Sequence, residues 1–164
     1  MSKPIKVEKL IPKQPHGLVV VITGNGKGKT TSAMGMVLRA SGHGFKTCII
    51  QFMKGDLYTG EWDGVKLLAG LVELHATGMG FCGIQGNTYT HAEHRVNAQA
   101  AIELARGKML GCEYDIIILV EINNALTLKL SDLVQLTVLV KSKPELLHLV
   151  LTCRYSPPDV AHVA

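Results

Sequence analysis

Apolar residues along this chain follow two rhythms. Short unbroken runs bounded by glycine or polar residues read as buried strands: Leu18–Ile22, Lys46–Phe52 and, most clearly, Tyr114–Glu121 around Ile116-Ile117-Ile118-Leu119-Val120. Continuous runs of this kind suit strands covered on both faces of a parallel sheet. Val72–Ala76 alternates and predicts a further strand, and Leu146–Thr152 another. Between the runs, apolar positions recur at helical spacing. Ala33, Met36, Val37 and Ala40 mark a helix from Lys29 to about Ser41, stopped by Gly42-His43-Gly44. Thr90 is placed to cap a long helix to about Leu110, with Val96, Ala100, Ile102, Leu104, Ala105 and Met109 as its apolar stripe. A shorter helix is expected from Ser131 to about Lys141, and a one-turn stub from Pro158. Residues 53–71, punctuated by Gly55, Gly60, Gly64 and Gly70, read as irregular or partly helical, and Thr77–Asn87 as a Gly-rich loop.

Alternating strands and helices predict an α/β fold with a doubly wound, mostly parallel sheet, opened by a β-α-β unit. The last helix stops after barely one turn, so the C-terminal part reads as truncated. With 164 residues, 47% hydrophobic and 18% charged, the chain is expected to form one domain and not a disordered polypeptide. Its longest apolar runs are five residues, far below the roughly 20 that a membrane helix needs. The basic, proline-punctuated N-terminus lacks the apolar stretch of a secretory signal.

Charge refines this picture. The net charge is +4, but residues 1–16 carry Lys3, Lys6, Lys9 and Lys13 against Glu8, which leaves the rest nearly neutral. The reading is a basic flexible arm over 1–16 and a domain over 17–164. No basic stripe marks the domain as a nucleic-acid binder. Cys48, Cys82, Cys112 and Cys153 form no C-x-x-C pair, so neither a zinc knuckle nor a redox motif is readable, and a reducing cytoplasm is the simplest location.

The chemistry concentrates at Thr23-Gly24-Asn25-Gly26-Lys27-Gly28-Lys29-Thr30. This string matches the phosphate loop G-x-x-x-x-G-K-[ST] at Gly28, Lys29 and Thr30, with Thr23 in place of the first glycine. It follows an expected strand and opens an expected helix, the context in which backbone N–H groups wrap a triphosphate at the positive helix end. Lys29 would reach phosphate oxygens and Thr30 would offer its hydroxyl to Mg²⁺. Glu121, ending the strongest strand, is placed to hold Mg²⁺ through water; a surface acid is the alternative. Arg154 ends another strand, where ligands gather in open α/β sheets, and faces either phosphate or solvent. His91 and His94 stand one turn apart, the spacing of a metal pair, but without a third ligand nearby a solvated helix face is the plainer reading.

The string at 23–31, with Arg39 and Gly42-His43-Gly44 after it, then Gln51-Phe52-Met53-Lys54-Gly55, Gly60-Glu61 and Gly80-Phe81, resembles the ATP:corrinoid adenosyltransferases of cobalamin synthesis and salvage. The likeness runs from about Gly17 to Ala164. It implies a phosphate-loop α/β sheet, a homodimer, ATP with Mg²⁺, a corrinoid substrate and a flavoprotein as reductant. It implies that Asn25, Gly26, Lys27, Gly28, Lys29, Thr30 and Thr31 hold phosphates, that Thr30 and Glu121 serve Mg²⁺, that Arg39 lies near the nucleoside and that Phe81 lines the corrin pocket. The implied reaction is attack of Co(I) on the ribose C5′ with loss of triphosphate, which needs no protein nucleophile and no general base. The chain departs from the family pattern at Val120, where Asp is usual, at Cys153, where Gly is usual, and at Gly83, where an aromatic residue is common. Two other readings stay open: a relative that binds nucleotide or corrinoid without efficient turnover, and a generic phosphate-loop ATPase.

Overall fold

The computed structural model describes residues 13–55, 58–80 and 88–162, apart from the side chains of 123, 124 and 127. The five apolar runs form five strands: β1 (Val19–Thr23), β2 (Thr47–Gln51), β3 (Val72–Ala76), β4 (Ile116–Val120) and β5 (His148–Cys153). All pair in parallel, in the order β1-β5-β4-β2-β3. The opening β-α-β unit therefore does not join neighbouring strands, because β5 and β4 lie between β1 and β2.

The period of two along each strand sorts the core. Ile49, Ile118, Val120 and Val150 face α1 (Lys29–Ser41), packing on its Ala33, Val37 and Ala40. Val65 and Leu68, from a 3₁₀ turn that follows the short helix α2 (Glu61–Gly64), add to this side. Cys48, Ile50, Ile117, Leu119, Leu149 and Leu151 face the other side, under α3 (His91–Leu110), α5 (Leu133–Lys141) and Val160 of α6 (Pro158–Ala161). The sheet is thus wound on both faces. Each Ile or Leu buried here stabilises the fold by about 1.5–3 kcal/mol.

Local signals set the helix starts. Thr90 caps α3 with a reciprocal box to Glu93, and Asp132, one residue beyond the expected Ser131, caps α5 with the same device to Gln135. The face of α3 differs from the expected stripe. Val96 is 71% exposed and Ala100 is exposed, while His94, Ala98, Ala101, Ile102, Ala105 and Met109 are buried. Ile102, Ala105 and Met109 of the expected stripe thus do turn inward, and in the first half of the helix Ala98 and Ala101 take the place expected of Val96 and Ala100, because small side chains let the helix approach the sheet closely. His94 is accordingly a core residue and not part of a solvated face. Its ring stacks edge-on to Tyr89, and its Nε2 has no hydrogen-bond partner among the described residues. Exposed His91 reaches the Leu128 carbonyl at 2.8 Å instead. The helix α4 (Ile122–Thr127) was not anticipated.

Because every strand runs the same way, Thr23, Gln51, Ala76, Val120 and Cys153 all end at one edge of the sheet. In an open parallel sheet that edge is where ligands bind.

Candidate functional site

The chain has only residues 24–28 in which to turn from β1 into α1. It does so through left-handed backbone at Gly24 (φ 129°) and Gly28 (φ 102°), conformations that a Cβ would strain. Gly28 is the N-cap of α1, and no side chain caps the first turn. The amides there lack carbonyl partners within the helix and, with the helix dipole, form a seat for an anion. Asn25, Gly26, Lys27 and Gly28 are exposed in the turn, while Lys29 and Thr30 are half-buried and Thr31 is exposed. The Lys29 ammonium lies across the loop, donating to the Gly24 and Gly26 carbonyls at 2.6 Å each.

The next strand over anchors the loop. The Arg154 carbonyl accepts from the Gly24 amide at 3.2 Å and from Thr23 Oγ1 at 3.4 Å, and its exposed side chain leaves the sheet beside the turn. Cys153 pairs with Thr23 in the sheet and is buried. Strand alternation puts its side chain on the Leu151 face, away from α1. Arg39 stands apart from this group: ten residues beyond Lys29, it lies about 15 Å further along the helix axis. There it is exposed at the last turn of α1, near Met36, His43 and Phe45. Phe81 and Gly83 lie outside the described residues.

Glu121 joins β4 to α4 in a single residue held at φ 62°, an uncommon conformation for a side chain with a Cβ. The Thr152 hydroxyl on β5 accepts its amide at 3.1 Å. Its Oε2 is buried and has no hydrogen-bond partner among the described residues. Val120, just before it, is 0% exposed and packs with the core cluster under α1.

A cleft of about 450 Å³ opens from Thr30 and Thr31 along Met34, Val37 and Leu38 of α1, and Lys54, Glu61 and Val65 line its far wall. Sequence reasoning used Lys54, Glu61 and Gln51 as marks of resemblance and gave none of them a role. In the structure they form one network: Lys54 Nζ donates to Glu61 Oε1 at 2.6 Å, and Gln51 Nε2 donates to the same oxygen at 3.1 Å. Burial pushes the Glu61 carboxyl up, but the bonds from Lys54 and its own backbone amide outweigh this and hold it below the usual carboxylate value. Lys54 is carried there by a backbone crossing that needs Gly78, where a Cβ would come within 2.4 Å of the Met53 carbonyl carbon. A polar pair spaced seven residues apart around an irregular loop has no periodicity that could have revealed it.

Together these elements bring to one edge of the sheet a glycine turn at a helix N-terminus, an acidic acceptor at the end of β4 and an adjoining cleft with apolar walls and a charged end. Among the described residues no helix is long and apolar enough to cross a membrane. Comparison with known proteins accords with this architecture. The sequence model of the family described as ATP:corrinoid adenosyltransferase BtuR/CobO/CobP matches residues 15–164. A corrinoid adenosyltransferase of Pseudomonas aeruginosa is 32% identical over 152 residues, covering 93% of this chain and 73% of that protein. One from Sinorhizobium is 33% identical over 150 residues, covering 90% of this chain and 69% of its own length. The corrinoid adenosyltransferase CobA of Salmonella typhimurium is 49% identical over a shorter stretch of 49 residues, 30% of this chain and 25% of that protein. A phosphate-loop sheet with these relatives leaves one assignment: the chain belongs to the ATP:corrinoid adenosyltransferase family and is a transferase.

Proposed function

We propose that the protein transfers the 5′-deoxyadenosyl group of ATP to the Co(I) centre of a reduced corrinoid. The observation that carries this reading is the turn at Gly24–Gly28 with Lys29 drawn across its mouth, in a chain of this family. The cobalt electron pair forms the new bond to C5′ and the C5′–O bond breaks. The electron pair leaves on the oxygen of inorganic triphosphate, and no proton moves. The protein's task is to position the two reactants and to stabilise charge on the departing triphosphate. Asn25 to Thr31 do so with backbone amides and the Lys29 ammonium, which would exchange two loop carbonyls for phosphate oxygens. Arg154 adds a cation beside the loop.

The buried, unpartnered Oε2 of Glu121 and the half-buried Thr30 offer hard oxygen donors, a set that fits Mg²⁺. Thr30 and Glu121 would hold that ion, which when bound supplies positive charge against the triphosphate. By resemblance, Phe81 lines the corrin face and Arg39 serves the nucleoside. Arg39 can do so only from the far end of α1 or toward a second copy of the chain. A homodimer in the cytoplasm, with a flavoprotein supplying the electron that makes Co(I), completes the reading.

An anaerobic assay with chemically reduced cobalamin and ATP tests it. Adenosylcobalamin and triphosphate in equal amounts are expected. ADP with phosphate would identify an ATPase instead, and ATP affinity without either product would identify a binder.

A further inference from the structure

We propose that Gln51 supplies, through its amide oxygen, a second acceptor for the hydrated Mg²⁺ beside that of Glu121. This rests on the transferase reading of the same site and assigns a role to a residue that reading leaves idle.

Gln51 ends β2 and stands opposite Val120 in the register of β2 with β4. It is 0% exposed. Its Nε2 donates to Glu61, and a carboxylate held in the ionised range only accepts, so the amide orientation is fixed with Oε1 turned away from that partner. Oε1 then has no donor among the described residues. Leaving an amide oxygen buried without a donor is costly. Strand alternation puts Gln51 on the face of Ile49, the face covered by α1, and its partner Glu61 lines the cleft together with Thr30 and Thr31.

The same edge holds a second orphan of the same kind, Glu121 Oε2, one residue beyond Val120. Two buried acceptors at the ends of adjacent strands both lack donors among the described residues, and Val120, opposite Gln51 and next to Glu121, has none to offer. Mg²⁺ bound to phosphates keeps several waters, each a donor polarised by the ion. Such a shell would satisfy both oxygens at once.

Calorimetric titration of ATP into the full chain, with Mg²⁺ and again with EDTA, separates metal from nucleotide. Gln51→Met keeps length and removes the amide. Its ATP affinity in EDTA should match wild type within about twofold, while its affinity with Mg²⁺ should fall about tenfold or more, the usual loss for an outer-shell partner. Gln51→Asn, which withdraws the oxygen by one methylene, should shift the Mg²⁺ arm in the same direction and serves if the Met variant does not fold. Glu61→Gln retains an acceptor for Gln51 and should affect the Mg²⁺ arm less than Gln51→Met. Equal losses in Mg²⁺ and EDTA, an equal loss in Glu61→Gln, or no loss in the Mg²⁺ arm would each overturn the proposal. If the Mg²⁺-specific loss appears but no adenosylcorrinoid forms in the product assay, the transferase reading fails and the role of Gln51 stands.

Discussion

Glu61, beside the phosphate loop, and Glu73, on the edge strand β3, are each held by a lysine, Lys54 at 2.6 Å and Lys108 at 2.8 Å. Their surroundings differ in what is left over. Around Glu73 the polar groups close on one another: Lys108 donates to both carboxylate oxygens, the Tyr114 hydroxyl donates to one, and His75 Nε2 lies 2.8 Å from the other. Buried Cys48 borders this group, and desolvation with the nearby Glu73 charge pushes its thiol up to about 12, so it stays protonated. Around Glu61 the network ends in a Gln51 oxygen that has no partner among the described residues, and Glu121 on the same edge has another. The bonds from Lys108 and Tyr114 give both Glu73 oxygens a donor and tie β3 to α3, and the atom left over there is a ring nitrogen, His75 Nε2, not a carboxylate or amide oxygen. At the Glu61 side two acceptor oxygens are left without a donor among the described residues, which accords with the ligand proposed for that edge.

Three measurements can break or sharpen that contrast. The largest effect is expected at Val120, which is fully buried rather than merely at a strand end. Val120→Asp should lower unfolding stability by about 3–5 kcal/mol without ligand, as an uncompensated buried carboxylate does. Mg²⁺ with ATP should then restore more stability to the variant than the same additions give wild type. A variant that melts like wild type with and without ligand would mean that this edge does not bind a cation.

Lys29→Ala comes next. Its ATP affinity should fall by about 1.5–3 kcal/mol, the range for a hydrogen bond to a charged group. Equal calorimetric affinities in mutant and wild type would remove the phosphate-loop assignment.

The smallest effect belongs to the Glu73 cluster. Lys108→Met should cost about 1 kcal/mol, because a pair this exposed is partly screened, and ATP affinity should not change. The pH dependence gives the sign. Burial raises the Glu73 carboxyl, but the bonds from Lys108 and Tyr114 and the His75 charge outweigh it and lower the folded value below the ordinary 4.5. The stabilisation is therefore complete above 4.5 and is lost as pH falls through the lower folded value. Acid titration of stability should be shallower in Lys108→Met than in wild type. An altered ATP affinity in this variant would mean that the two clusters communicate.

Most of the fold was legible in the chain. Five apolar runs became five strands, and the Gly-rich string from 24 to 28 became the turn into α1, because a run of β-branched residues and a required positive φ are local demands that a sequence states directly. Family membership followed from the same residues. The inward face of α3 was legible only in its C-terminal half, where Ile102, Ala105 and Met109 are buried as expected; toward its start hydrophobic bulk pointed to Val96, while packing on the sheet selected Ala98 and Ala101. Strand order was equally hidden, because the pairing of β1 with β5 depends on contacts far apart in the chain. The sequence by itself determined which groups this protein can offer: a phosphate loop, Lys29, Thr30, Glu121 and the residues of the 51–61 segment. Only the tertiary structure decided which of them have partners. Whether a buried oxygen such as Gln51 Oε1 is satisfied depends on donors brought by other strands and loops, and no spacing along one chain encodes that.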